Sequence, residues 1–205
     1  MDDIVKQAMA KWPDVPHVYG WLSLDRRGTW RIKGDAVINT QIAGFISRNY
    51  DHDAEGRWFF QNGPQRVFAA LDYTPFVYRI VWHSDPQAPL CIETHTGARV
   101  CRIEAAFIDE SGVLLLATEH GAGMLDDRNL ELLLPGLTAA DGRVLDEDRA
   151  CRCIERLQDG DSAELFLNYA NNRIAFGAIA SSDVAAKFGF VPQPLQPAGE
   201  EPCNY

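Results

Sequence analysis

Apolar positions along the chain change their spacing several times, and each change marks an element. Ile4, Val5, Ala8, Met9 and Trp12 recur at helical intervals behind Asp2 and Asp3, either of which can cap the helix, and Pro13 ends it. Pro13 and Pro16 hold the next residues extended. Tyr19 to Leu24 and Thr29 to Lys33 then read as a hairpin turned by Asp25 and Gly28. Thr40 is the expected cap of a second helix, striped by Ile42, Phe45, Ile46 and Tyr50. A polar turn over 51–56 leads to strands at Arg57 to Gln61 and Gln65 to Asp72, joined by Asn62-Gly63-Pro64. Phe76 to His83 alternates as one more strand, with Phe76, Tyr78, Ile80 and Trp82 on one face.

The breaker-rich stretch Ser84 to Pro89 interrupts this program, which then restarts. "AAFIDESGVLLLATEHG" repeats the strand, Asp-x-x-Gly turn and strand of the first hairpin, with Asp109 and Gly112 in the places of Asp25 and Gly28. A helical segment follows from Asp126 to Leu134, stopped by Pro135-Gly136, where the first half has Thr40 to Tyr50. Leu145 to Leu157 predicts a helix with Leu145, Ile154 and Leu157 inward. Leu165 to Ile179 predicts two strands around Asn171-Asn172, and Ser181 or Ser182 is placed to cap a last helix through Lys187. The expectation is an α+β protein of two similar halves, each a twisted antiparallel sheet packed on a helix. The halves are residues 1–83 and 91–191, with a boundary loop at 84–90 and a loose, proline-rich tail at 192–205.

Composition narrows the function classes. A chain of 205 residues that is 46% hydrophobic can build a core, yet its apolar runs stay far below the ~18 residues of a membrane span. The N-terminus has acids before its first apolar residue and reads as neither secretory signal nor transit peptide, so the expected compartment is the cytoplasm. A formal charge of -10, from 19 basic and 29 acidic side chains, disfavours nucleic acid and anionic membrane as partners. The five cysteines show no C-x-x-C spacing and read as free thiols. The five histidines form no H-x-x-x-H pair. Neither a metal site nor a cofactor motif is expected. Asp51, Asp53, Glu55 and Gly56 match the start of a calcium loop, but the twelfth place is Asn62 and a strand follows, so a solvated turn is the better reading. "EHGAGM", Glu119 to Met124, lacks the lysine of a phosphate loop and the third glycine of a dinucleotide fingerprint, and reads as a flexible turn.

The stretch "GRWFFQNGPQRV", Gly56 to Val67, remains as candidate chemistry. On a strand, Trp58 and Phe60 share one face while Phe59 and Gln61 share the other, so the aromatics divide between two faces, one of which must be core. Gln61, Asn62, Gln65 and Arg66 cluster at the turn and suit an anionic or nucleobase-like ligand. The same residues also suit a purely structural role, with amides satisfying the turn and Arg66 pairing with a carboxylate such as Asp72.

"KWPDVPHVYGWLSLDRRGTWRIKG", "FISRNYDHDAEGRWFFQNGPQRVFAALDYTPFVYR" and "GVLLLATEHGAGMLDDRNL" resemble the signature blocks of an uncharacterised proteobacterial family of unknown function, over most of the chain before the tail. The order G-x-W, helix, G-x-hydrophobic, T-P-F also resembles a second bacterial unknown-function family of duplicated fold. That second resemblance implies a pleckstrin-homology-like second half and a nucleotide-like ligand between the halves, with a signalling role. Neither family brings catalytic residues. The expected function is a small-ligand-binding or signalling module for a nucleotide-like anion. Arg48, Trp58, Gln61, Asn62, Gln65, Arg66 and Arg79 are the residues expected to orient and stack it. A protein-interaction adaptor, or an enzyme built on His83, His95 or His120 with a carboxylate, are the alternatives.

Overall fold

A computed structural model of the chain describes residues 1–12, 15, 17–81 and 90–198. They form two compact units, one comprising Met1–Pro75 and the returning segment from Gly189, the other Phe76–Phe188.

The first unit contains α1 (Asp3–Lys11), β1 (Val18–Leu24), β2 (Trp30–Ile32), β3 (Asp35–Ala36), α2 (Thr40–Arg48), β4 (Tyr50–His52), β5 (Trp58–Asn62) and β6 (Gln65–Leu71). Its sheet runs β3-β2-β1-β6-β5-β4, with β1 and β6 parallel. Local chemistry sets the turns. Asp25 Oδ1 accepts the N–H groups of Arg27 and Thr29, each at 2.9 Å, which fixes the β1–β2 connection. Asp53 Oδ1 does the same for Glu55 at 3.1 Å and Arg57 at 2.9 Å. That commits Asp53 to the turn and to Arg57 Nε at 2.7 Å, as the solvated-turn reading of 51–56 requires. The cap of α2 is Asn39 rather than Thr40: its side chain accepts from Gln41 and Ile42 one residue before the expected start. Asp2 holds the N-cap position of α1 without a side-chain cap bond, because its carboxylate faces Arg48 at 3.4 Å.

α2 buries Ile46. Around it the core is aromatic: Trp30 and Trp58 each lie 4.8 Å from Tyr50, and Phe45 meets Phe60 edge-on at 5.4 Å. The expectation of a loose tail from residue 192 is corrected. The Leu71 N–H donates to Pro192 O at 2.8 Å, Gln193 Nε2 reaches Leu71 O, and Phe190 is buried. The tail adds backbone partners at the open end of β6, which offsets the entropy of ordering it. Residues 199–205 lie outside the described residues.

The second unit contains β7 (Phe76–Val81), β8 (Cys91–Thr94), β9 (Ile103–Ile108), β10 (Leu114–Thr118) and β11 (Gly121–Leu125). It continues with α3 (Leu130–Leu133), β12 (Leu137–Thr138), α4 (Glu147–Gln158), β13 (Phe166–Tyr169), β14 (Asn172–Ala178) and α5 (Val184–Phe188). The sheet order is β12-β13-β14-β9-β10-β11-β7-β8. Two expectations change here. Glu119 to Met124, read as a flexible turn, falls largely in β11, an interior strand between β10 and β7. Its glycine is what permits this, since a Cβ on Gly123 would lie 2.4 Å from the ring of Tyr78. The strand at Phe76, assigned to the first half, pairs in parallel with β11 and antiparallel with β8, both in the second unit. Most of the expected boundary loop lies outside the described residues. The last helical segment also differs at its cap: the N-cap is Ala180, and the Ser181 N–H and hydroxyl both donate to Glu110.

The duplication is visible in strand order. Removing β7 and β8 from the second sheet leaves β11-β10-β9-β14-β13-β12, which matches β3-β2-β1-β6-β5-β4 strand for strand. Each unit has a three-strand meander, a helical connection and a second meander, closed by one parallel pair, β1 with β6 or β9 with β14. The sheets are therefore mixed rather than antiparallel, because first and last strands of each repeat run in the same direction. Turn chemistry repeats too: Asp109 Oδ1 accepts from Ser111 and Val113 at 2.9 Å, and Gly112 has positive φ as Gly28 does.

One connection departs from the repeat. β4 and β5 are joined by the short Asp53 turn, whereas the corresponding β12 and β13 are separated by residues 139–165, which contain α4.

Candidate functional site

The residues expected to bind a ligand are dispersed. Gln61 and Arg66 are cross-strand partners, as are Asn62 and Gln65, so four of them share the β5–β6 hairpin. Gln61 is buried; its Nε2 donates to Gly63 O at 2.9 Å, and its Oε1 has no hydrogen-bond partner among the described residues. The Arg66 guanidinium lies 4.6 Å from the centre of the Phe59 ring and pairs with no carboxylate among the described residues, Asp72 included. Trp58 lies on the other face of β5, buried against Tyr50 and His52 at 4.8 Å. Arg48 sits at the end of α2 beside Asp2. Arg79 belongs to the second unit and lies 3.8 Å from Asp126. Asp126 is buried and bonded by Arg128 at 2.5 Å; that bond and the positive charges around it hold its carboxyl below the usual range.

The histidines are engaged structurally. His95 is buried, its Nδ1 accepts the Val77 N–H at 3.3 Å, and burial with Arg79 nearby pushes its pKa down to about 3. His120 Nε2 lies 2.9 Å from Arg99 O. The neighbouring Glu119 takes the N–H groups of Cys101 and Arg102; burial works against ionisation, and those backbone bonds outweigh it, so its pKa is lowered. His83 lies outside the described residues. Among the described residues no three His, Cys, Asp or Glu side chains are grouped to hold a metal ion.

A concave site is built instead on α4. Asp146 caps the helix by accepting the Arg149 N–H at 2.9 Å, and Glu147 and Asp148 put negative charge in the first turn. Ala150 and Leu157 are the buried positions that anchor it. Arg149, Arg152 and Arg156, at spacings of three and four residues, share one face beside that anchored stripe. They line a cavity of about 810 Å³ with Cys153. Ala139 and Leu145 supply apolar surface, and Ser162, Ala163 and Glu164 form the part contributed by the loop after the helix. Arg149 lies 3.7 Å from Asp146, a solvent-exposed pair. Arg152 and Arg156 have no ion-pair partner among the described residues, although Asp148 and Glu155 lie within helical reach of Arg152. Planar guanidinium groups in a concavity can give paired, charge-assisted hydrogen bonds to carboxylate or phosphate. Sequence reasoning tested for consecutive basic residues and so missed this set. The signal was the Arg-x-x-Arg-x-x-x-Arg spacing inside a predicted helix.

A second cavity in the same unit, about 390 Å³, has an apolar lining that includes Ile80, Val81, Leu90, Leu132 and Pro135. It offers no comparable set of charges.

Fold and site together define a class: a duplicated α+β protein of two mixed sheets, with an arginine-lined groove on a helix inserted into the second repeat. The chain belongs to the DUF2944 family, whose profile, described as "Protein of unknown function (DUF2946)", matches residues 1–195. Its fold is similar to the crystal structure of a DUF1285 family protein from Silicibacter pomeroyi DSS-3, with a TM-score of 0.54 at 15% identity, covering 89% of this chain and 98% of that one. A DUF1285 family protein from Shewanella baltica OS155 matches with a TM-score of 0.40 at 14% identity, over 54% of this chain and 87% of that one. No curated protein matches the chain.

Proposed function

We propose that this protein is a small-ligand-binding module of the regulatory kind and that its ligand is an anion held in the α4 groove. One observation supports the reading: three arginines from a single helix face line a metabolite-sized cavity in a chain whose net charge is -10. The volume falls within the ~300–1,000 Å³ typical of ligand sites. A purely solvated helix face gains by interleaving opposite charges at i, i+4, whereas Arg152 is left available to the groove with Asp148 one turn away. A cytoplasmic setting is part of the proposal; Cys91, Cys101, Cys151 and Cys153 are free thiols, which suits a reducing compartment.

Thermal unfolding with inorganic phosphate, against chloride at matched ionic strength, tests the reading. Stabilisation of about 2.7 kcal/mol is expected at a hundredfold excess over Kd. It should be lost in the Arg152→Gln/Arg156→Gln variant. A wild-type protein indifferent to phosphate would overturn the proposal. The β5–β6 hairpin is a second place for the same chemistry, because the Arg66 guanidinium, opposite Gln61, pairs with no carboxylate among the described residues. Loss of the phosphate response in Arg66→Gln alone would move the site to that hairpin.

A further inference from the structure

We propose, resting on the reading of the α4 groove as an anion site, that its ligand carries two anionic groups at the ends of a hydroxyl-bearing carbon skeleton, the chemistry of a sugar bisphosphate. The first reason is length. Arg149 and Arg156 are seven positions apart on one helix, which at the α-helical rise separates their backbones by about 10 Å along the axis. A single phosphate cannot engage guanidinium groups rooted that far apart as fully as two phosphates can. Arg152 stands between them and can serve either end.

The second reason is the groove's other lining residues. Glu164 and Ser162 are among the lining residues, which brings a carboxylate and a hydroxyl to the groove's chemistry. A ligand charged along its whole length, such as an inorganic polyphosphate, sets charge against Glu164. One charged only at its ends also carries hydroxyl groups, and a carboxylate accepts hydrogen bonds from hydroxyls. Ala139 and Leu145 add apolar surface for a carbon skeleton. The arrangement therefore selects by charge position as well as by total charge.

Isothermal titration of the full-length protein at fixed ionic strength tests this with four probes: fructose 1,6-bisphosphate, fructose 6-phosphate, fructose and inorganic pyrophosphate. The bisphosphate is expected to bind at least tenfold more tightly than the monophosphate, with fructose not binding. Arg149→Gln and Arg156→Gln should each reduce bisphosphate affinity to the level of the monophosphate. Both positions are exposed, so unchanged melting temperatures check that the variants fold. Glu164→Gln should weaken the bisphosphate severalfold and tighten pyrophosphate, two changes of opposite sign that a general loss of structure cannot produce. Equal affinity for mono- and bisphosphate, or tighter binding of pyrophosphate than of the bisphosphate, would overturn the ligand class and leave the anion site standing. Failure of every phosphate-bearing probe, inorganic phosphate included, would remove both.

Discussion

The two units solve the same folding problem with the same order of six strands; the second adds β7 and β8 at one edge and differs within the repeat in one connection. In the first, β4 passes to β5 through a turn that Asp53 closes with two backbone bonds. In the second, the equivalent passage holds a helix, and that helix carries the arginine groove. The sheets are constrained by register and packing, so an added surface segment is where new chemistry costs the scaffold least. The repeated strands form the scaffold of each unit, and the helix inserted between β12 and β13 carries the candidate function.

The largest expected effect separates corresponding strands. β11 is interior and β3 is a two-residue edge with both residues exposed. Gly123→Val should destabilise by about 3 kcal/mol, since a Cβ there meets Tyr78 and the Phe76 carbonyl. Ala36→Val on β3 should stay within about 0.5 kcal/mol. Chemical denaturation of both variants checks the contrast; equal losses would mean that β3 and β11 carry the same packing load.

The shared turns come next. Asp25→Ala and Asp109→Ala should each cost about 1–2 kcal/mol, because each removes the acceptor of two backbone N–H groups. Burial tends to raise the pKa of Asp25, but the Thr29 and Arg27 N–H groups and Arg31 outweigh it and the net shift is downward. A carboxyl depressed in the fold contributes fully above its unfolded pKa of about 3.9 and loses that contribution as pH falls through the folded value. The difference between wild type and Asp25→Ala should therefore shrink in acid, as denaturation at pH 7 and pH 3 would show.

A third test concerns a feature of the second unit. His95 titrates near 3 in the fold and near 6.5 when unfolded, so above pH 6.5 it is neutral in both states. Between those values only the unfolded chain takes up the proton, and stability falls as pH drops. His95→Gln should flatten that part of the stability profile, measured by urea denaturation from pH 7 to pH 4. The smallest effect on stability is expected at the groove: Arg152→Gln should change it by less than about 0.5 kcal/mol while weakening anion binding.

How much of this was legible in sequence follows from how local each determinant is. The Asp25 and Asp109 turns could be read because an aspartate and a glycine three residues later specify the geometry between them. The parallel pairs β1 with β6 and β9 with β14 could not, since they join distant segments through backbone bonds that leave no residue pattern. Glu119 to Met124 reads as a turn because two glycines usually mark one; the space taken by the Tyr78 ring, which requires Gly123, is a tertiary fact. Trp58 and Gln61 were correctly divided between strand faces, yet both faces are buried, which depends on what packs on each side and not on the alternation itself. The arginine spacing of α4 was present in the sequence, but the cavity depends on residues 162–164 returning beside the helix.

The most direct measurement compares matched charge removals in the two units. Phosphate-dependent stabilisation is measured for wild type, for Arg152→Gln/Arg156→Gln on α4, and for Arg48→Gln/Arg66→Gln in the first unit. Loss in the α4 variant, with the first-unit variant responding like wild type, is the expected result. Retention in the α4 variant with loss in the first-unit variant would contradict the assignment of function to the inserted helix.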